Sequence, residues 1–308
     1  MKNIFRVKMA TIVACIGIFA NCATVSLDRA KTISTVMGGT ENTRLGQYAL
    51  EKVAQREGVS SFYPLRDGMD ALGVRLRLAE AAEKSIDLQY FLMKNDRAGA
   101  VLASALLSAA DRGVRVRFLL DDVFTTVPDD SFLLINQHPN IELRIFNPLS
   151  REGIWALNYV AHFNQANRRM HNKSFTVDNA VSVVGGRNIA DEYFQLKTGT
   201  LFVDLDVLAV GPIANEVSES FDEYWNHKLA VPIDQFVDQK HKEELATIRA
   251  EIREEFDGVH DSIYQQALDS RLLQDLIADR VPFFVGPAMV IADDPDKLVN
   301  EIDEEHMK

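Results

Sequence analysis

This sequence predicts an α/β fold with helices packed against a sheet, because short strand-like runs alternate with helical ones at βαβ spacing. Residues 85–92 alternate as a strand, 98–112 form an alanine-rich helix stopped by Gly113, and 114–120 and 141–146 are further strands. A helix over 73–84 precedes them, with apolar positions at Val74, Leu76, Leu78, Ala81 and Ala82. Downstream, strands are expected near 172–177, 180–184 and 201–210, and Gly211-Pro212 opens a helix running to about Trp225. Charged helical sequence follows at 234–257 and 261–279, then an apolar segment at 281–291. Residues 24–60 read as a polar tether and outer helix interrupted at Gly38-Gly39.

With 308 residues, 47% hydrophobic and 25% charged, the chain is long and apolar enough for a sizeable core, which excludes disordered and collagen-like classes. Residues 229–308 hold 8 Lys+Arg against 19 Asp+Glu, so nearly all of the net charge of −12 sits there. No basic stripe follows the chain, which disfavours a nucleic-acid partner. The only cysteines are Cys15 and Cys22, so nothing beyond residue 22 can form a disulfide or thiol metal site.

Both cysteines fall in an address segment. Lys2, Arg6 and Lys8 precede an apolar run over 9–20, too short for a comfortable membrane span of about 20 residues. The run ends at Phe19-Ala20-Asn21-Cys22-Ala23, which resembles a bacterial lipoprotein cleavage box with Cys22 as the lipidated residue. A plain cleaved signal and an uncleaved anchor are the alternatives. The expected location is the bacterial cell envelope, lipoprotein-like and membrane-anchored. The expected organisation is 1–22 signal, 23–60 tether and outer helix, 61–228 catalytic unit and 229–308 acidic helical extension.

The chemistry is concentrated in one constellation: His171-Asn172-Lys173, four residues, Asp178, six residues, then Gly185-Gly186-Arg187-Asn188. On a strand, His171 and Lys173 leave the same face about 6.6 Å apart, so one phosphate can touch both. An imidazole can attack phosphorus and titrates near neutrality. An ammonium can neutralise the oxygens on which charge develops. Asp178, at a turn, is placed to orient the imidazole or support the lysine. Gly185 and Gly186 allow close approach of a phosphate, and Asn188 offers it a neutral donor.

This spacing resembles the phospholipase D superfamily signature, His-x-Lys, four residues, Asp, six residues, Gly-Gly or Gly-Ser, x, Asn. The likeness extends over about 62–228, through Ile86-Asp87-Leu88-Gln89-Tyr90, Phe202–Val207 and Phe221–Asn226. With the lipobox-like start, it looks most like the bacterial cardiolipin synthase branch, its ClsC-like members in particular. The resemblance implies an αβα sandwich with a mixed central sheet, present here as one repeat. It also implies a phosphohistidine on His171, phosphate binding by Lys173 and Asn188, support from Asp178, a phospholipid substrate and no metal or organic cofactor. Members of this branch carry two motifs that meet at a shared site. Here there is one, and His306-Met307-Lys308 lacks the rest of the pattern, so a second half is expected from a second copy or a separate chain. The function expected is therefore phosphatidyl transfer or phospholipase D hydrolysis. The alternatives are a homodimeric single-motif nuclease and a non-catalytic, truncated or partner-binding subunit.

Several other residues suit either a site role or a simpler one. Arg168 and Arg169 suit head-group steering or a solvated helix end. His162 suits the pocket wall or a structural role, and Trp155, Tyr159 and Phe163 suit an apolar lip or core. Asp121-Asp122 resembles a metal carboxylate pair without a third ligand. Asp204 and Asp206 share a strand face and suit either site support or structure.

Overall fold

The computed structural model describes residues 30–53, 58–151, 169–197, 202–235, 237 and 259–298. In chain order the elements are α1 (Arg44–Val53), β1 (Ser60–Leu65), α2 (Gly68–Ala81), β2 (Ser85–Tyr90), α3 (Arg97–Asp111) and β3 (Arg115–Asp121). There follow α4 (Asp129–Asn136), β4 (Ile141–Phe146), β5 (Ser174–Val177), β6 (Val181–Gly185), β7 (Asp206–Val210) and α5 (Ile213–Asn226). β8 (Ala230–Pro232), α6 (Val259–Leu268), α7 (Arg271–Ile277) and β9 (Phe284–Gly286) complete them.

Capping side chains set several helix starts. α2 begins five residues before its apolar pattern because the Asp67 carboxylate accepts the Met69 and Asp70 amides at 2.8 and 3.2 Å. Asp96 does the same for α3 through Gly99. The single helix expected over 261–279 is two, because Ser270 caps a new start at α7. The strand expected over 201–210 is regular only from Asp206, and within the apolar segment at 281–291 only Phe284–Gly286 is a strand.

The strands form one sheet in the order β8-β4-β3-β2-β5-β6-β7-β1-β9. β2, β3 and β4 run parallel and the other neighbours antiparallel, so the sheet is mixed. Alternation divides the residues between two faces. Ile86, Leu88, Tyr90, Val116, Phe118, Leu120, Phe175, Val177 and Val183 join the main core with α2, α3, α6 and α7. Leu119 and Phe146 join a smaller core with Phe221, Tyr224 and Trp225 of α5. Each fully buried Leu, Ile, Val or Phe side chain contributes about 1.5–3 kcal/mol. This αβα layering is the fold the sequence pattern predicts.

On the α5 face three strand arginines lie under an extended N-terminal strap. Arg117 makes a two-pronged pair with Asp87 at 2.7 and 2.8 Å, reaches Asp222 at 2.8 Å and stacks on Phe221. Arg144 stacks 4.1 Å from the Trp225 ring centroid. The strap supplies carbonyls: Arg144 donates to Thr32, Arg117 to Ser34 and Arg115 to Thr35. Lys31 donates to Ala230, Trp225 Nε1 to Ser34 Oγ, and the Val36 amide to Asp222.

Candidate active site

His171 stands just before β5, and its backbone is fixed from behind. Met170 is fully buried in the smaller core, and its amide donates to Asp121 at the end of β3, 3.0 Å away. The imidazole lies on the Phe91 ring, centroids 4.9 Å apart, and Phe91 in turn packs on Phe124. Lys173 Nζ sits 3.1 Å from His171 Nδ1, donates to the His171 carbonyl at 2.7 Å, and lies 5.4 Å from the Phe91 centroid. The sequence therefore brings imidazole and ammonium together as expected. Because an ammonium only donates, Nδ1 is the acceptor and the ring proton sits on Nε2.

The electrostatics follow from this packing. Although one edge of His171 is open to solvent, burial against Phe91 lowers its pKa below 6.5, the Lys173 charge lowers it further, and Asp204 opposes. Burial pulls Lys173 down to about 8, against the opposing carboxylates of Asp204, Asp121 and Asp206. At neutral pH the imidazole is thus neutral and the lysine mostly cationic, the states a nucleophile and a phosphate anchor require.

Asp178 does not join this pair, which corrects its expected role. It stands at the far end of β5, is fully buried, and its carboxylate accepts the amides of Glu83, Lys84 and Ser85 at 3.0, 2.8 and 2.9 Å. With φ of 48°, it turns the chain from β5 towards β6 while pinning the start of β2.

Gly185 and Gly186 also differ from expectation. The backbone they admit closely is the chain leading into β7. A Cβ on Gly185 would stand 2.5 Å from both the Asp206 Cα and the Leu205 carbonyl, and one on Gly186 would collide with the Asp204 carboxylate. The two glycines therefore let Asp204 and Asp206 reach the site. Asp204 reaches His171 and Lys173 through its charge, whereas Asp206 is fully buried and pairs with Arg75 at 2.8 Å. Arg75 also donates to Tyr90 Oη. Asn188 is buried; its Oδ1 accepts from Leu92 and its Nδ2 donates to Tyr193 Oη at 3.0 Å.

Arg169 is 7% exposed at its side chain and pairs with Asp121 at 3.0 Å, so it is buried rather than steering. Asp122 holds Arg151 and the Leu149 amide. The Asp121-Asp122 oxygens thus go to arginines and amides, and no cluster of three metal-ligating side chains occurs among the described residues. Cys22, Trp155, Tyr159, His162, Phe163 and Arg168 lie outside the described residues. Phe91, Phe124 and Tyr193 were not anticipated; an aromatic residue directly after β2 was the available signal for Phe91. Phe124, Phe202, Val203 and Leu205 expose large apolar surface, and Phe202 stacks on Tyr193, the Asn188 partner. No described helix is long and apolar enough to cross a membrane.

Residues 76–225 match the family model described as cardiolipin synthase, PLD-like domain. The chain is 41% identical over 254 residues to cardiolipin synthase C of Escherichia coli (strain K12), covering 82% of this chain and 54% of that one. It is 35% identical over 266 residues to an uncharacterized protein of Helicobacter pylori (strain ATCC 700392 / 26695), covering 83% and 52%. A solved phospholipase D family member, Nuc from Salmonella typhimurium, is similar with a TM-score of 0.39 and 18% identity over 56% of this chain and 97% of that one. The chain spans about half the length of the first two relatives.

Proposed function

Residues 76–225 belong to the cardiolipin synthase PLD-like domain family, and from that premise we propose that the chain supplies one half-site of an enzyme that transfers or hydrolyses phospholipid phosphodiesters. The observation that carries this reading is a neutral imidazole and an ammonium 3.1 Å apart beside exposed apolar side chains. A charged phosphate joined to apolar tails matches both halves of that surface.

In the proposed reaction an arriving phosphodiester draws the Lys173 ammonium onto its non-bridging oxygens and frees His171 Nδ1. The ring proton moves to Nδ1, and Nε2 attacks phosphorus. A P–N bond forms, the P–O bond to the leaving alcohol breaks, and that alcohol takes a proton from a second histidine. An acceptor alcohol or water then attacks phosphorus, the P–N bond breaks, and the acceptor's proton returns to the second histidine. Asp204 balances the charge on His171. The second histidine comes from another copy of the motif, in a second molecule or a partner chain. An envelope location anchored through Cys22 completes the proposal.

The test incubates the chain, alone and with candidate second motifs, with radiolabelled phospholipid vesicles. Thin-layer analysis should show cardiolipin, phosphatidic acid or released head group, and an alkaline quench should trap label on His171. Unchanged lipid in every combination, with plasmid nicking in the presence of chelator instead, favours the single-motif nuclease.

A further inference from the structure

The twin carboxylates at the end of β3 do different jobs. Asp122 accepts the Leu149 amide at 2.7 Å and takes Arg151 through both oxygens at 2.6 and 2.8 Å, on the side of the fold where β4 ends. Asp121 faces the other way. Its Oδ2 accepts the Met170 amide at 3.0 Å, and its Oδ1 accepts Arg169 Nη1 at 3.0 Å and the Val123 amide at 3.3 Å. Arg169 Nη1 also reaches the Asn147 carbonyl, which ties the same segment to the end of β4. Asp121 is fully buried, and besides these bonds its charge is felt by Lys173.

We propose that Asp121 is a positioning residue for His171: by holding the Met170 amide and the Arg169 guanidinium, it fixes the backbone from which the imidazole projects. The inference rests on the phosphodiester reading of the site. Among the described residues, Phe91 and Lys173 hold the ring on its far side, and a substrate can displace or recruit both. Its near side therefore depends on where the main chain at 169–170 stands. A displacement of about 1 Å at that anchor is enough to cost about 100-fold in rate. Both oxygens of Asp121 accept, so an amide in its place must turn an N–H towards either Met170 or Arg169. Asp121→Asn is thus nearly isosteric yet cannot satisfy the same partners. A low dielectric makes that mismatch felt. Burial raises the Asp121 pKa to about 7, against the opposing pull of Arg169 and the two amides.

The test compares Asp121→Asn with Asp122→Asn in the full chain. Ring ¹⁵N and ¹H shifts of His171, assigned by their loss in His171→Gln, are recorded at one pH alongside the melting temperature. Steady-state rates are measured on phospholipid vesicles. Both variants should lose stability, but only Asp121→Asn should move the His171 ring signals and lower kcat about 10–100-fold with KM changed less than about 3-fold. If Asp121→Asn fails to fold, Arg169→Gln removes one tie and leaves the amide bond, and a smaller shift of the same signals is expected. Unshifted His171 ring signals in a folded Asp121→Asn or Arg169→Gln protein overturn the proposal. So does an equal shift in Asp122→Asn. Shifted signals without turnover in any protein, wild type included, support the positioning role and instead count against the phosphodiester reading.

Discussion

Replacing each motif glycine with alanine separates steric from electrostatic roles within one dipeptide. On Gly185 the new methyl meets backbone, the Asp206 Cα and the Leu205 carbonyl at 2.5 Å, and neither can retreat without opening the β6–β7 pairing. Overpacking of this kind costs about 3 kcal/mol, which lowers the melting temperature by about 5 °C in a chain of this size. On Gly186 the obstruction is the Asp204 carboxylate, the end of a short side chain that can rotate away. The fold should then survive, but His171 and Lys173 lose a negative neighbour that raises both their pKa values. The alkaline limb of activity, set by Lys173 near 8, should move to lower pH, and the rate should fall by at least about 10-fold. Thermal unfolding by circular dichroism and a pH–rate series read the two effects. A Gly185→Ala protein melting within about 2 °C of wild type refutes the steric account. A Gly186→Ala protein with an unaltered pH profile refutes the role given to Asp204.

His171→Ala should remove turnover, on the order of 10⁴–10⁶-fold, while leaving the melting temperature nearly unchanged, because the ring edge is exposed. Retained activity in a folded protein would refute the nucleophile assignment. The wild-type pH–rate profile should be bell-shaped. Activity falls on the acid side as His171 protonates below its ordinary 6.5, and on the alkaline side as Lys173 loses its charge near 8. Activity that stays flat up to about pH 9 would contradict the Lys173 shift, and an acid limb centred at or above 6.5 would contradict the His171 shift. Asp178→Ala should destabilise by about 3 kcal/mol or more by stranding three buried amides, whereas Asp178→Asn, which still tolerates φ of 48°, should cost about 1 kcal/mol. Equal melting of the two would refute the clamp. Asp206→Ala leaves Arg75 buried without its carboxylate and should cost about 3–5 kcal/mol, read by denaturant unfolding.

The letters and spacing of the motif place His171 beside Lys173, although both lie in the segment that enters β5 rather than on the strand face the pattern predicts. What the motif's other residues touch was not legible. Gly185, Gly186 and Asp178 each serve a neighbouring element, β7 or β2, and a linear pattern does not say which strands lie side by side. β1 was missed because Pro64 interrupts its pattern. The structure tolerates it because β9 pairs only as far as Phe62. Arg115, Arg117 and Arg144 read as the polar side of strands, yet Arg117 and Arg144 are fully buried. Their charges are met by Asp87, Asp222 and Glu142 and by carbonyls of the strap, partners at least 28 residues away for all but Glu142. The parallel β2–β3–β4 unit was the most legible part, since strand and helix periods alternate there without interruption.

The strap also determines how the molecule bears tension. Its bonds run in sequence from Lys31 through Thr32 and Ser34 to Val36, and each ends on a side chain or carbonyl of β3, β4, α5 or the turn into β8. A pull at residue 30 therefore loads them one after another, as in peeling tape, with each rupture resisting by only about 1 kcal/mol. Each bond in turn passes the load to a side chain of β3, β4 or α5 rather than directly to the strand ladder. The strap behaves as a mechanical fuse that yields bond by bond.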